Sequence, residues 1–393
     1  MKKISIVLVF VVFFGAGIFL FLNEKIFLKE EEGSMKGNLI EPVTNKSPKI
    51  IDNNLTKTIS TKTDSLDKTD YLHLHNESIV IDTHSDFLWK VFDKGVDFKN
   101  ETSSIQSDLP RLKAGGVDVQ VFAVWIPMSQ VKRSFSFTIS QINKLVEIAA
   151  ENSSEFELAK TYDDIIRITN EKKVCGLIGI EGGTAIEKNL DNINTFSDAG
   201  VSYIGLTWNN SNAVATSARD AVERGKKGGL TEFGFEVVKR MNETGIIVDV
   251  SHLSEAAFWD VIETSTMPVI ASHSDCYSIN PHYRNLTDEQ IKALAKKDGY
   301  IGINFYDKFL DKNSNATIEN VVEHIDYIKN LVGVDYIGLG ADFDGGISPP
   351  PELKDASCYP ELTKRLVEKG YNDEDIKKIL GLNFLRVFKK VCG

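Results

Sequence analysis

The sequence predicts a single (β/α)8 barrel behind an N-terminal segment of another kind, and three observations carry the prediction. From Ser78 onward short apolar runs alternate with helical stretches. The runs are the continuous Val/Ile/Leu type found in parallel strands buried on both faces. Five of them, VIDTHSD, GLIGIEGG, IIVDVSH, VIASHSD and YIGLGADFDG, end in side chains that bind metals or move protons, and barrels of this class place their chemistry where strands finish.

At the N-terminus, Lys2 and Lys3 precede an almost unbroken apolar run, Ile4 to Leu22, closed by Glu24 and Lys25. That length can cross a bilayer. A cleavable signal peptide has a shorter apolar centre and a small-x-small site, and no such site follows Leu22. Residues 1–22 are therefore expected to be an uncleaved transmembrane signal anchor rather than a signal peptide. The basic end stays inside, which makes a single-pass protein of the cell membrane with an extracytoplasmic catalytic domain; cleavage would make it secreted. No cysteine lies near the end of the run, which argues against a lipid-modified protein. Residues 23–70 are rich in Lys, Glu, Asn, Ser and Thr and bury too little apolar area to fold, so they are expected to be a flexible, disordered linker. Residues 71–393 form the barrel domain.

Within that domain the candidate strands are Ile79 to Asp82, Val117 to Trp125, Val174 to Ile180, Tyr203 to Thr207, Ile246 to Val250, Val269 to Ser272, Tyr300 to Phe305 and Tyr336 to Gly340. Amphipathic or charged helical stretches lie between most of them: Ile139 to Ala150, Thr231 to Glu243, Asp288 to Lys297 and Ile318 to Leu331. The helical segment after Pro360 is expected to complete the outer ring. An open doubly wound sheet is the alternative, weakened because no G-x-G-x-x-G follows the first strand.

Of the 393 residues 42% are hydrophobic, enough for a large core, and the net charge of −11 is distributed along the chain rather than held in a tail. That charge argues against nucleic acid as a partner. Cys175, Cys276, Cys358 and Cys392 show no C-x-x-C spacing, and no cysteine chemistry is expected.

His84 and Asp86 form an H-x-D pair in an extended segment, so both point the same way; the plainer reading is a strand-end His and a helix-capping Asp. Glu181 stands between Ile180 and two glycines that let the backbone turn and leave its carboxylate open. His252 and His273 each end an apolar run after a serine. One such histidine is as well explained by core hydrogen bonding as by metal ligation; together the five groups converge on one barrel mouth and predict a two-metal centre bridged by Glu181, with zinc ions about 3.5 to 4 Å apart. Asp342, in A-D-F-D-G-G, is suited to carry a proton beside a metal-activated water, though Asp342 and Asp344 also fit caps or turns. His73 and His75 read as helix or loop surface, and His282 and His324 as structural.

The ordered set V-I-D-T-H-S-D, I-E-G-G, D-V-S-H, S-H-S, R-N-L-T-D-E and G-x-D-F-D-G, spanning Ile79 to Phe388, resembles the membrane dipeptidase (renal dipeptidase) family. The resemblance implies a (β/α)8 barrel with two Zn2+ ions. It assigns His84 and Asp86 to one ion, His252 and His273 to the other and Glu181 to both. It also makes Arg284 the grip on the substrate carboxylate and Asp342 the proton carrier. One position departs from the family: Trp208 in L-T-W-N-N-S-N stands where a histidine helps to hold the oxyanion. Asn209 or Asn210 could supply that contact, the zinc alone could polarise the carbonyl, or the substrate preference has shifted; otherwise Trp208 is a packing residue of the barrel mouth.

The expected function is binuclear zinc hydrolysis of dipeptides through a metal-bridging hydroxide, with a C-terminal D-residue within the range considered. Alternatives are a related binuclear hydrolase of β-lactams, N-acyl amino acids or lactones, and, from another class, a non-catalytic surface-tethered binding protein. Expected partners are the dipeptide and, through the anchor, the membrane, with a homodimer left open.

Overall fold

The computed structural model describes Asp70–Gly393 apart from residues 101 and 103, so the anchor and linker expected over residues 1–70 lie essentially outside the described residues. Among the described residues no helix is long and apolar enough to cross a membrane.

Nine parallel strands are present among the described residues: β1 (Ile81–Ser85), β2 (Val119–Trp125), β3 (Phe156–Leu158), β4 (Val174–Glu181), β5 (Val201–Gly205), β6 (Ile247–Asp249), β7 (Val269–Ala271), β8 (Tyr300–Ile303) and β9 (Ile337–Leu339). The sheet runs β2-β1-β9-β8-β7-β6-β5-β4-β3, and pairing of β2 with β4 over Val119↔Cys175 to Trp125↔Glu181 closes eight of the strands into a barrel. The eight predicted strands are the eight of the barrel, with ends that coincide or are displaced by at most three residues. The ninth, β3, pairs with Val174 to Gly176 along the edge of β4 that β5 takes further on. Three residues, Phe-Glu-Leu, are too short a run to register as a strand in sequence.

Strand alternation sorts the core into two shells. One face of each strand packs outward on the helices. The other fills the barrel with Ile81, Val119, Val121, Cys175, Leu177, Tyr203, Ile247, Ile270 and Tyr300. Phe384, Leu385, Val387, Phe388 and Val391 belong to that inner shell. The last helix, Asn383–Cys392, therefore stoppers the N-terminal mouth of the barrel instead of joining the outer ring as the sequence suggested. Its strongly one-sided apolar face satisfies either position; only the open end of the barrel decides between them.

The four predicted helices form, and three of them have capped N-termini. Thr231 caps Glu232–Thr244 through the Gly234 N–H. Thr287 and Gln290 cap Asp288–Lys296 reciprocally, as Thr317 and Asn320 do for Ile318–Val332, each cap satisfying amides that the first turn leaves free.

Candidate metal centre

β1 begins two residues later than the sequence indicated, so His84 lies inside the strand and Asp86 just beyond it. Asp86 holds the cap position of helix Phe87–Lys94 but makes no side-chain cap bond, so the capping explanation of this residue does not apply. Its carboxylate turns inward, with Oδ2 3.8 Å from His84 Nε2. Asp342 Oδ1 and Glu181 Oε2 each stand 3.9 Å from the same nitrogen.

Glu181 ends β4 and is 5% exposed. Gly182 follows with φ +112, a conformation open mainly to glycine, which swings the chain away and leaves the carboxylate bare. Its two oxygens divide their attention. Oε2 faces His84, while Oε1 lies 2.9 Å from His252 Nε2 and 3.6 Å from His273 Nε2. His252 and His273 themselves approach to 3.0 Å, Nε2 to Nε2. Two sets of ligand-type atoms lie within 4.8 Å of one another, His84–Glu181–His273 and His84–Asp86–Asp342.

The other ring nitrogen of each histidine fixes its tautomer. The Tyr203 hydroxyl donates to the Thr83 carbonyl, so it accepts from His84 Nδ1–H at 2.9 Å. Ser272 Oγ donates to Asp249 Oδ2 and accepts from His273 Nδ1–H at 2.8 Å. Asn209 Oδ1 takes the third Nδ1–H, from His252, at 3.2 Å. All three Nε2 atoms therefore present lone pairs to the same space, the arrangement that orients imidazoles on a metal. His84 Nε2 is buried with no hydrogen-bond partner.

Electrostatics point the same way. Burial, helped by Arg284, drives His84 down to about 3, and burial with Arg284 and the neighbouring imidazoles holds His252 and His273 well below the usual range, so all three rings are neutral at pH 7. Burial first, and then repulsion from a neighbouring carboxylate, Asp342 beside Asp86 and Asp86 beside Glu181, pushes the Asp86 and Glu181 carboxyls well up; Asp342 itself rises to about 6, chiefly through burial. Three carboxylates and three imine lone pairs this close repel unless cations sit among them. At Gly345 a Cβ would stand 2.5 Å from Asp342 Oδ1 and 2.6 Å from Asp86 Oδ2, so a side chain there would fill the space the carboxylates share. The donor set, N and O without sulfur, fits zinc or another borderline divalent ion.

Arg284 is buried over the cavity, donating through one terminal nitrogen to the His273 carbonyl, while its Nε has no partner. With Lys308, Tyr306 and Asn209 it lines a cavity of about 330 Å3 that includes Asp86, Glu181 and Asp342. A larger hollow of about 600 Å3 shares His252, His282, Tyr283 and Arg284 with it but contains none of those three carboxylates.

His75 and His282 differ from their sequence reading. Trp208 does line the cavity. Asn209 holds His252 through its Oδ1 while lining the cavity, and Asn210 turns its Nδ2 to Met128. His75 is not a surface residue: it is buried, bonded to Thr363 Oγ1 and the Gly115 carbonyl, because helix Asp70–Glu77 lies against helix Tyr359–Glu368. His73 is exposed beside Glu77. His324 is structural, accepting from Cys276 N–H and donating to the Leu310 carbonyl. His282 is a cavity wall stacked on Tyr283, 4.4 Å between centroids. Asp344 is spent on the Gln106 and Ser107 amides and the Ser107 hydroxyl.

The sequence reading passed over Tyr203, Asp249, Ser272 and Asn304. Asp249 was visible as a lone carboxylate within an apolar run, and Asn304, whose Nδ2 donates to Asp342 Oδ2 at 3.0 Å, as a polar residue at a strand end. Tyr203 gave no local signal, since a tyrosine in a strand is ordinary.

Residues 69–392 match the family model described as membrane dipeptidase (peptidase family M19). The chain is 34% identical over 294 residues to Dipeptidase tcpJ of Claviceps purpurea, covering 72% of this chain and 69% of that protein. It is 31% identical over 333 residues to a protein of Schizosaccharomyces pombe named as an uncharacterized dipeptidase, covering 79% and 80%. Among solved structures it is similar to a metallo peptidase from Rhodobacter sphaeroides liganded with a phosphinate mimic of the dipeptide L-Ala-D-Ala, with TM-score 0.75 and 25% identity over 80% of this chain and all of that one.

Proposed function

The chain belongs to the membrane dipeptidase family of metallopeptidases, and on that premise we propose that it hydrolyses dipeptides at two zinc ions held by His84, Asp86, Glu181, His252 and His273. The observation that carries the pair of ions is the division of Glu181, one oxygen turned to His84 and the other to His252 and His273. One carboxylate facing two imidazole sets is the donor arrangement of a bridged centre.

When bound, the metal supplies Lewis acidity, making a water nucleophilic near neutral pH and drawing charge from a carbonyl oxygen. The chain does the rest. Arg284 binds the substrate's terminal carboxylate with a planar fork, which favours substrates whose carboxylate lies one residue beyond the cut bond. Asp342, held by Asn304 Nδ2, takes the proton from the attacking water and returns it to the leaving amine. Asn209, Tyr203 and the Ser272–Asp249 pair keep the three imidazoles in register. Trp208 has one N–H and no titratable group, so it does not replace the family histidine as an acid or base. Dipeptides with a C-terminal D-residue fall within this proposal, as the phosphinate ligand of the Rhodobacter sphaeroides relative suggests.

The apolar run Ile4 to Leu22 supports placing this activity outside the cytoplasm on a membrane tether. Metal analysis of the purified protein, with hydrolysis of L,L and L,D dipeptides and a β-lactam panel measured before and after chelation, tests the reading. Undiminished hydrolysis without metal, or turnover of β-lactams alone, overturns it.

A further inference from the structure

The carboxylates of the centre open on a second, smaller hollow of about 220 Å3. Three of the four tryptophans in the chain wall it. Trp89 meets Trp125 edge to face at 4.9 Å and 81°, and Trp125 meets Trp208 at 5.0 Å and 68°. Asp86, Glu181 and Trp208 line both this hollow and the cavity that contains Arg284. The indole Nε1 of Trp125 is buried without a partner, although buried indoles usually find one.

Resting on the proposed dipeptidase reading, we propose that the three-tryptophan hollow is the subsite for the substrate's N-terminal side chain and that it selects a large apolar or aromatic one. A dipeptide with its carboxylate on Arg284 and its peptide carbonyl at Glu181 has one residue left to place, and the hollow adjoins Glu181 away from Arg284. Its walls are indole faces. Lys90 at its edge repels a cationic side chain, and the indole walls offer an anionic one no hydration; Asp344 is already occupied by the Gln106 and Ser107 donors. Trp208, the departure from the family's histidine, thus supplies a wall and shifts preference at the first position.

The test is a kinetic series on the zinc-loaded full chain, with Gly, Ala, Leu, Phe, Lys or Glu first and Ala second. We expect kcat/KM to rise about ten- to hundredfold from Gly to Leu or Phe, with Lys and Glu poor. Trp208→Ala and, independently, Trp89→Ala should flatten this series and leave a second-position series unchanged in rank, while Trp208→Phe retains it. Tryptophan fluorescence gives a readout free of turnover: a phosphinate dipeptide analogue with a benzyl first side chain should quench more and bind more tightly than its glycine counterpart. A flat first-position series in an active enzyme, or a steep one indifferent to both tryptophan substitutions, overturns the subsite. Failure to hydrolyse any dipeptide overturns the dipeptidase reading instead, and equal binding of the two analogues then overturns the subsite as well.

Discussion

His252 and His273 bring their Nε2 atoms within 3.0 Å of each other while each has its Nδ1–H committed elsewhere, to Asn209 and to Ser272. Neither nitrogen has a proton to share, so the contact is two opposed lone pairs beside a carboxylate oxygen. His252 also adopts φ +69, left-handed for a residue with a Cβ, a conformation kept only where the surroundings enforce it. A cation turns this repulsion into ligation. Chelation should therefore lower the melting temperature by roughly 5–10 °C, on the basis that a ligand present at 1,000 times its Kd contributes about 4 kcal/mol, and zinc should restore it. Scanning calorimetry that finds the same melting temperature in both states removes metal from the site.

Glu181→Gln keeps the size of the side chain and one acceptor oxygen but removes the charge that faces both histidine sets. Turnover should be abolished and metal content should fall. A variant that remains fully active with two bound metal ions rules out Glu181 as the bridge.

For Asp342→Asn the expected loss is in kcat, about 10^2- to 10^4-fold, the usual contribution of a positioned proton carrier. The amide oxygen of the replacement can still accept the hydrogen bond from Asn304 Nδ2, and asparagine tolerates the left-handed φ of +66 at this position, so the variant should fold. Elemental analysis distinguishes the roles: unchanged metal content fits a proton carrier, whereas loss of an ion makes Asp342 a ligand.

Arg284→Met should lower kcat/KM about a hundredfold, the scale of removing one partner from a buried charge pair. C-terminally amidated dipeptides should be poor substrates of the wild type and no poorer for the variant. If the variant still prefers the free acid over the amide, Arg284 is not the carboxylate's partner.

Asp118 gives a pH dependence away from the metal centre. Burial pushes its carboxyl up to about 6, from the ordinary 3.8 of an aspartate. Between these values the folded chain holds a proton that the unfolded chain has released. The contribution to stability is complete below about 3.8 and is lost as pH rises through about 6. Asp118→Asn still accepts the Val80 N–H, which lies 2.9 Å from the native carboxylate, so the variant should gain about 1 kcal/mol on the wild type between acid and neutral pH, allowing for solvent screening. Denaturant melts with parallel pH profiles for the two proteins would refute this.

Much of the barrel was legible because strand burial writes itself into local sequence. Eight continuous apolar runs gave eight strands, and the residues closing five of them gave His84, Glu181, His252, His273 and Asp342. What escaped were features with no local imprint. The position of helix Asn383–Cys392 across the barrel bottom depends on which apolar surface is left uncovered. The burial of His75 depends on a neighbour 288 residues away.

The sequence by itself determined the fold class, the imidazole and carboxylate types of the candidate centre and their placement at strand ends, since side-chain period and apolar content act over a few residues. The tertiary structure alone decided how those groups face one another. It set the tautomers through Tyr203, Ser272 and Asn209, turned the two oxygens of Glu181 to different partners, and gathered three tryptophans from a helix, a strand end and a loop. Such relationships join atoms far apart in the chain, and only closure of the sheet brings them within hydrogen-bonding distance.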